Sequence, residues 1–185
     1  LVHSNPVARR DHLREAHDLG VRLFVLDSPG EVAKLADAAP GASVLVRIVT
    51  SGSGSDWPLS RKYGCSAEDA VALLLDAAHL GLDPAGVSFH VGSQQRDPQA
   101  WGPPIRSAAR VFEAVRAHGI RPWLLDLGGG FPAALEGGEV PSVSEFGAAI
   151  GAHLADAFGD DRPRTLVAPG RGIVGDAGTV VTSVV

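Results

Sequence analysis

Residues 124–132 read Leu124-Leu125-Asp126-Leu127-Gly128-Gly129-Gly130-Phe131-Pro132, an apolar strand running directly into three consecutive glycines. Residues without a Cβ let backbone N–H groups converge on one point, as an oxyanion such as phosphate requires. An isolated Gly run reads more simply as a flexible turn after a buried strand. Two further stretches weigh against that simpler reading. Phe89-His90-Val91-Gly92-Ser93 closes an earlier apolar run, and Pro169-Gly170-Arg171 follows a later one. All three place small or polar groups at the carboxyl ends of strands.

Outward from these junctions, strand and helix patterns alternate. β-rich runs fall at 1–4, 21–26, 43–49, 86–91, 122–127 and 164–167, and segments with helical periodicity at 9–19, 31–39, 67–80, 98–118 and 142–158. Apolar strands alternating with amphipathic helices predict a parallel sheet, either a (β/α)8 barrel or an open doubly wound sheet. The barrel is the better expectation, because its loops all share one mouth whereas an open sheet has a single switch-point crevice. A closed barrel has eight strands and typically about 250 residues, so two strand-helix units are expected to be missing. Residues 1–178 would then be the later part of a barrel. Residues 179–185, another β-rich segment, would begin a linker toward a further domain. Ser51-Gly52-Ser53-Gly54-Ser55 reads as a short mobile loop.

The 185 residues are 45% hydrophobic, enough for one folded unit with a substantial core. Sixteen Lys and Arg against 21 Asp and Glu leave a formal charge of −5 and no basic stripe, which excludes nucleic acid as a partner. No apolar run approaches the roughly eighteen residues of a membrane span, so no membrane role is expected. The start, Leu1-Val2-His3-Ser4, lacks the features of a signal peptide. The single cysteine, Cys65, has no disulfide or metal partner and suits the cytoplasm. The absence of an initial Met suggests a piece of a longer protein.

With these stretches in order, the chain resembles the fold-type III pyridoxal-phosphate decarboxylases, the family of ornithine, diaminopimelate and arginine decarboxylases with an alanine-racemase-like barrel. The resemblance is carried by Asn5-Pro6, Phe24 to Ser28, Arg47-Ile48, Ser60 to Gly64, Gly86 to Ser93, Leu125 to Pro132 and Pro169-Gly170-Arg171. The forms Val-Ser-Phe-His-Val-Gly-Ser and Gly-Gly-Gly-Phe-Pro look most like the ornithine or lysine decarboxylase branch. The resemblance implies pyridoxal 5′-phosphate as cofactor, an amino-acid substrate and a homodimer. It implies that His90 stacks on the cofactor ring and that Ser93 reaches the phosphate. Gly128, Gly129 and Gly130 would bind phosphate through backbone N–H groups, with Arg171 completing the cup beside Pro169 and Gly170. A guanidinium fork matches phosphate oxygens better than an ammonium does. Arg47, a cation ending an apolar strand, is assigned a supporting place near the cofactor. Lys62 matches a lysine of the dimer contact, and Asp126 either orders the glycine loop or faces a helix.

The chain departs from the family in two places. Relatives hold a glutamate directly before Pro-Gly-Arg, where it pairs with the pyridine nitrogen; here that place is Ala168. The lysine that relatives link to the cofactor matches neither Lys34 nor Lys62, the two lysines of this sequence. The expectation is a decarboxylase of ornithine or lysine in the full-length protein, with this stretch alone inactive. The alternative is a non-catalytic homologue retained for protein binding, which Ala168 favours.

Overall fold

A computed structural model describes residues 1–134 and 138–183. The chain runs β1 (Val2–His3), α1 (Arg10–Asp18), β2 (Leu23–Leu26), α2 (Pro29–Ala38), β3 (Ser43–Arg47), β4 (Ser55–Trp57), α3 (Ala67–His79), β5 (Asp83–Ser88) and β6 (Ser93–Gln95). A 3-10 turn (Pro98–Trp101) then leads into α4 (Gly102–Arg116), β7 (Leu124–Asp126), α5 (Val143–Phe158), β8 (Arg164–Leu166) and α6 (Arg171–Val174). Each β-rich run of the sequence overlaps one strand of a six-stranded parallel sheet in the order β1-β2-β3-β5-β7-β8, with β5 beginning at Asp83, three residues before the run read at 86–91. The order never reverses, so there is no switch point of the kind an open doubly wound sheet needs.

The two sheet faces are covered differently. Phe24, Leu26, Val44, Val46, Val87, Phe89, Leu125 and Leu127 pack outward against Leu35, Leu74, Ile105, Phe112, Phe146 and other helix residues. Val25, Leu45, Ala85 and Leu124 form a separate inner cluster with Val2, Leu23 and Leu166, every member contributed by a strand. A face filled only by its own strands is the interior of a curled sheet, and helices confined to the opposite face make this a partial (β/α) barrel.

Helix ends follow local sequence. Ser142 and Glu145 form a reciprocal capping box on α5, Ser66 caps α3, and Pro29 opens α2. Two expectations need correction. Ser51 to Ser55 is no free loop: Ser53 O accepts from Gln95 Nε2 at 2.8 Å, Ser55 Oγ donates to Gly52 O at 2.6 Å, and Ser55 begins β4, which pairs antiparallel with β6. The tail from Thr179 to Ser183 forms no strand, because none of its amides meets a neighbouring strand; Val184 and Val185 lie outside the described residues.

Candidate functional site

Strand alternation places Arg47, Ser88, Asp126 and Ala168 on the concave face, each near the carboxyl end of its strand and one step beyond the inner cluster. Asp126 organises the glycine junction. Its Oδ1 accepts from the N–H of Gly128 at 3.0 Å and its Oδ2 from Ser88 Oγ at 2.8 Å. Burial pushes its carboxyl above the usual carboxylate range, opposed by these two hydrogen bonds and by Arg47. Of the two roles open to Asp126, ordering the loop is the one the structure places. The same bond changes the inventory at the glycines: the Gly128 N–H is already committed to Asp126 and is no free phosphate donor.

The three glycines are required by close approach. A Cβ on Gly128 would lie 2.0 Å from Phe89 O, one on Gly129 2.6 Å from Ala168 O and 3.2 Å from His90 Nε2, and one on Gly130 2.4 Å from Gly92 O. Gly128 and Gly130 also take φ of +65° and +113°. The loop therefore threads between the turn after β5 and the turn after β8, held by Ala168 N–H to Gly128 O at 2.9 Å and Gln95 N–H to Gly130 O at 2.8 Å.

His90 sits half-buried beside this thread. Its Nδ1 accepts from the N–H of Gly92 at 3.0 Å, which leaves the proton of the neutral ring on Nε2, the edge nearer Gly129. Burial, aided by Arg47, lowers its pKa to about 4, so the imidazole is neutral at physiological pH. The Arg47 guanidinium lies 5.3 Å from the Tyr63 ring centroid; burial lowers its pKa against the pull of Asp27, Asp126 and Tyr63.

A cleft of about 500 Å³ is lined by His90, Ser93, Gly130, Ala168, Pro169, Gly170 and Arg171, together with Gln94, Phe131, Val174 and Gly175. Residues 78 positions apart in the chain thus meet at one place, from Ser93 to Arg171. Arg47, Gly128 and Gly129 stand behind or beside this cleft rather than on its lining. Among the described residues, neither the Gly129 nor the Gly130 N–H, nor the Ser93 hydroxyl, donates to a protein acceptor, and Arg171 has no carboxylate partner. Uncommitted donors facing one cleft suit a phosphate monoester, whose oxygens accept several charge-assisted hydrogen bonds. Lys34 is bonded to Glu31 and Ala8 O at 2.5 and 2.8 Å, and Lys62 lies 5.1 Å over the Tyr63 ring; neither reaches the cleft.

Sequence reasoning missed two supports. Gln94 is 2% exposed with φ +54°, and its amide both donates to Ala133 O at 3.0 Å and accepts from Ala133 N–H at 2.9 Å, pinning the chain beyond the glycines. Trp57, on β4, stacks over Arg171 with 5.0 Å from guanidinium carbon to ring centroid. The adjacency of Gln94 to Ser93 was a usable signal; nothing local marks Trp57.

Residues 1–175 match the family model described as "Pyridoxal-dependent decarboxylase, pyridoxal binding domain". The chain is 36% identical over 185 residues to a lysine/ornithine decarboxylase of Selenomonas ruminantium, covering all of this chain and 47% of that protein. It is 37% identical over 132 residues to antizyme inhibitor 2 of Xenopus laevis, covering 71% of this chain and 29% of that one. Its fold superposes on the crystal structure of a lysine decarboxylase from Selenomonas ruminantium with a TM-score of 0.83 at 34% identity, covering 93% of this chain and 45% of the other. The chain thus spans about half the length of the decarboxylases it matches. With its partial barrel and its glycine-lined cleft, it belongs to the pyridoxal-binding domain family of the pyridoxal-phosphate-dependent decarboxylases.

Proposed function

We propose that this chain is the cofactor-holding part of an enzyme that decarboxylates a basic amino acid, ornithine or lysine. The observation that carries the reading is the convergence of His90, Ser93, Gly130 and Arg171 on one cleft where, among the described residues, the Ser93 hydroxyl and the Gly130 N–H have no protein acceptor and Arg171 has no carboxylate partner. Pyridoxal phosphate fits these residues at its phosphate end. The Gly130 N–H, the Ser93 hydroxyl and the Arg171 guanidinium would hold the phosphate, and the neutral His90 ring would lie against the pyridine. Bound there, the cofactor supplies an electron sink for the carbanion left when the bond from Cα to the carboxylate breaks. The ornithine and lysine preference rests on the lysine/ornithine decarboxylases among the proteins to which the chain is similar in sequence and in fold. A homodimer is proposed on the same ground.

Ala168 supports a second reading, a homologue that binds the cofactor or a protein partner without turnover. It lines the cleft with a methyl group where a carboxylate would hold the proton of the pyridine nitrogen. Losing a neighbouring opposite charge typically shifts a pKa by about 1 to 3 units, roughly 1.4 to 4 kcal/mol of pyridinium stabilisation. The decisive experiment measures carbon dioxide release from ornithine and from lysine by the full-length protein and its Ala168→Glu variant. Under the first reading the wild type has measurable activity, and the Ala168→Glu substitution raises it about ten- to a thousandfold. No release by either form, with cofactor binding intact, would establish the second reading.

A further inference from the structure

Arg171 is an unusual cation for a binding cleft. It opens a one-turn helix after Gly170, and its recorded partner among the described residues is an aromatic ring rather than a carboxylate. That ring belongs to Trp57, on a strand outside the barrel sheet. β4 and β6 form a two-stranded antiparallel ribbon in which Trp57 stands opposite Ser93. Residues directly opposite in an antiparallel pair project from the same face of the ribbon. One ribbon therefore presents both the Ser93 hydroxyl and the Trp57 ring to the segment that carries Arg171.

The chemistry of the pair is specific. A guanidinium bonds acceptors through the N–H groups in its plane and attracts an aromatic ring through its face. A carboxylate partner would occupy the in-plane fork that an anion needs. A tryptophan leaves that fork open and still restricts the side chain, so less rotamer freedom is lost when an anion arrives. Trp57 is 51% exposed, although it is among the largest apolar side chains of the molecule. Its position is not explained by burial in the core, and its ring is in contact with the cleft arginine.

We propose that Trp57 is a positioning residue for phosphate: it holds the Arg171 guanidinium with its fork open toward the cleft shared with Ser93. This inference rests on the reading of the cleft as the phosphate-holding end of the cofactor site. Because Trp57 lies on the segment continuing from Ser51 to Ser55, the same contact ties that segment to the cleft arginine.

Calorimetric titration of the full-length protein tests it with two probes. Deoxypyridoxine 5′-phosphate lacks the aldehyde and forms no covalent link with lysine; deoxypyridoxine lacks the phosphate as well. Trp57→Ala is expected to weaken the phosphorylated probe about two- to fivefold. Affinity for deoxypyridoxine should stay unchanged, and Trp57→Phe should retain most of the affinity for the phosphorylated probe. In an Arg171→Ala background, Trp57→Ala should have no additional effect, because the interaction it removes is already gone. A Trp57→Ala loss that persists in that background, or that is equal for both probes, would make Trp57 merely structural and overturn the proposal. Should Arg171→Ala weaken the phosphorylated probe while Trp57→Ala does not, the proposal fails and the cleft reading stands. Equal affinity of the wild type for both probes, or no binding of either, would overturn the cleft reading and the proposal with it.

Discussion

At position 168 a methyl group occupies the inner face of the barrel, aligned by strand alternation with Leu166 of the inner cluster. At Ala168 the sequence supports an expectation only through the family resemblance, because Pro169-Gly170-Arg171 marks the place at which relatives hold a glutamate. The state of His90 was not readable. Its neutrality comes from burial and from Arg47, which arrives from another strand. The folded pKa of about 4 lies below the ordinary value near 6.5, so the unfolded chain binds more protons between those limits. The contribution of His90 to stability is therefore complete above about pH 6.5 and is lost as the pH falls toward 4. Asp126 acts in the opposite direction, since its raised pKa favours the folded state as acid is added. The His90 part is isolated by comparing wild type with His90→Gln in urea unfolding. The stability difference between them should shift against the wild type from pH 7 to pH 4.5, and a pH-independent difference would refute the assignment.

The five longer helices were legible at the scale of elements because each carries a periodic apolar face, and α3 and α5 add a local start signal, Ser66 with Asp69 and Ser142 with Glu145; the one-turn α6 was not. The β4–β6 ribbon was not legible. Ser-Asp-Trp and Ser-Gln-Gln are too short for periodicity, and each exists only because the other lies alongside. The 3-10 turn before α4 illustrates how such an element supports the site. Trp101, fully buried, packs against Phe131 at 4.9 Å and Phe146 at 5.5 Å and donates from Nε1 to Leu127 O at 3.1 Å. It thereby braces the residues on either side of the glycine run. Trp101→Ala should cost about 3 to 5 kcal/mol in chemical denaturation, the range for deleting a buried aromatic side chain. The half-exposed Trp123 serves as the control; a loss at Trp101 no greater than at Trp123 would show that the brace contributes little.

For the whole molecule, β1 and β8 are the outer strands of the described sheet, each paired on one side. Open parallel edges present unpaired N–H and C=O groups, a template for pairing with another chain. The 185-residue chain expressed by itself is expected to self-associate, with a mass in analytical ultracentrifugation that rises with concentration. A monomer with a sharp cooperative melt would contradict this. The inner cluster also shows why the barrel could be inferred but not demonstrated from periodicity. Doubly buried strands read as continuous apolar runs whether helices cover both faces or the sheet curls on itself.

The sequence by itself determined the alternation of strands and helices and the three strand-end motifs, because each is encoded in neighbouring residues. Only the tertiary structure decided that the sheet curls, that Asp126 takes the Gly128 N–H, that His90 is neutral and that Trp57 faces Arg171. Those outcomes depend on close approach between segments distant in the chain, where burial and uncommitted hydrogen-bond donors arise from packing and have no local signature.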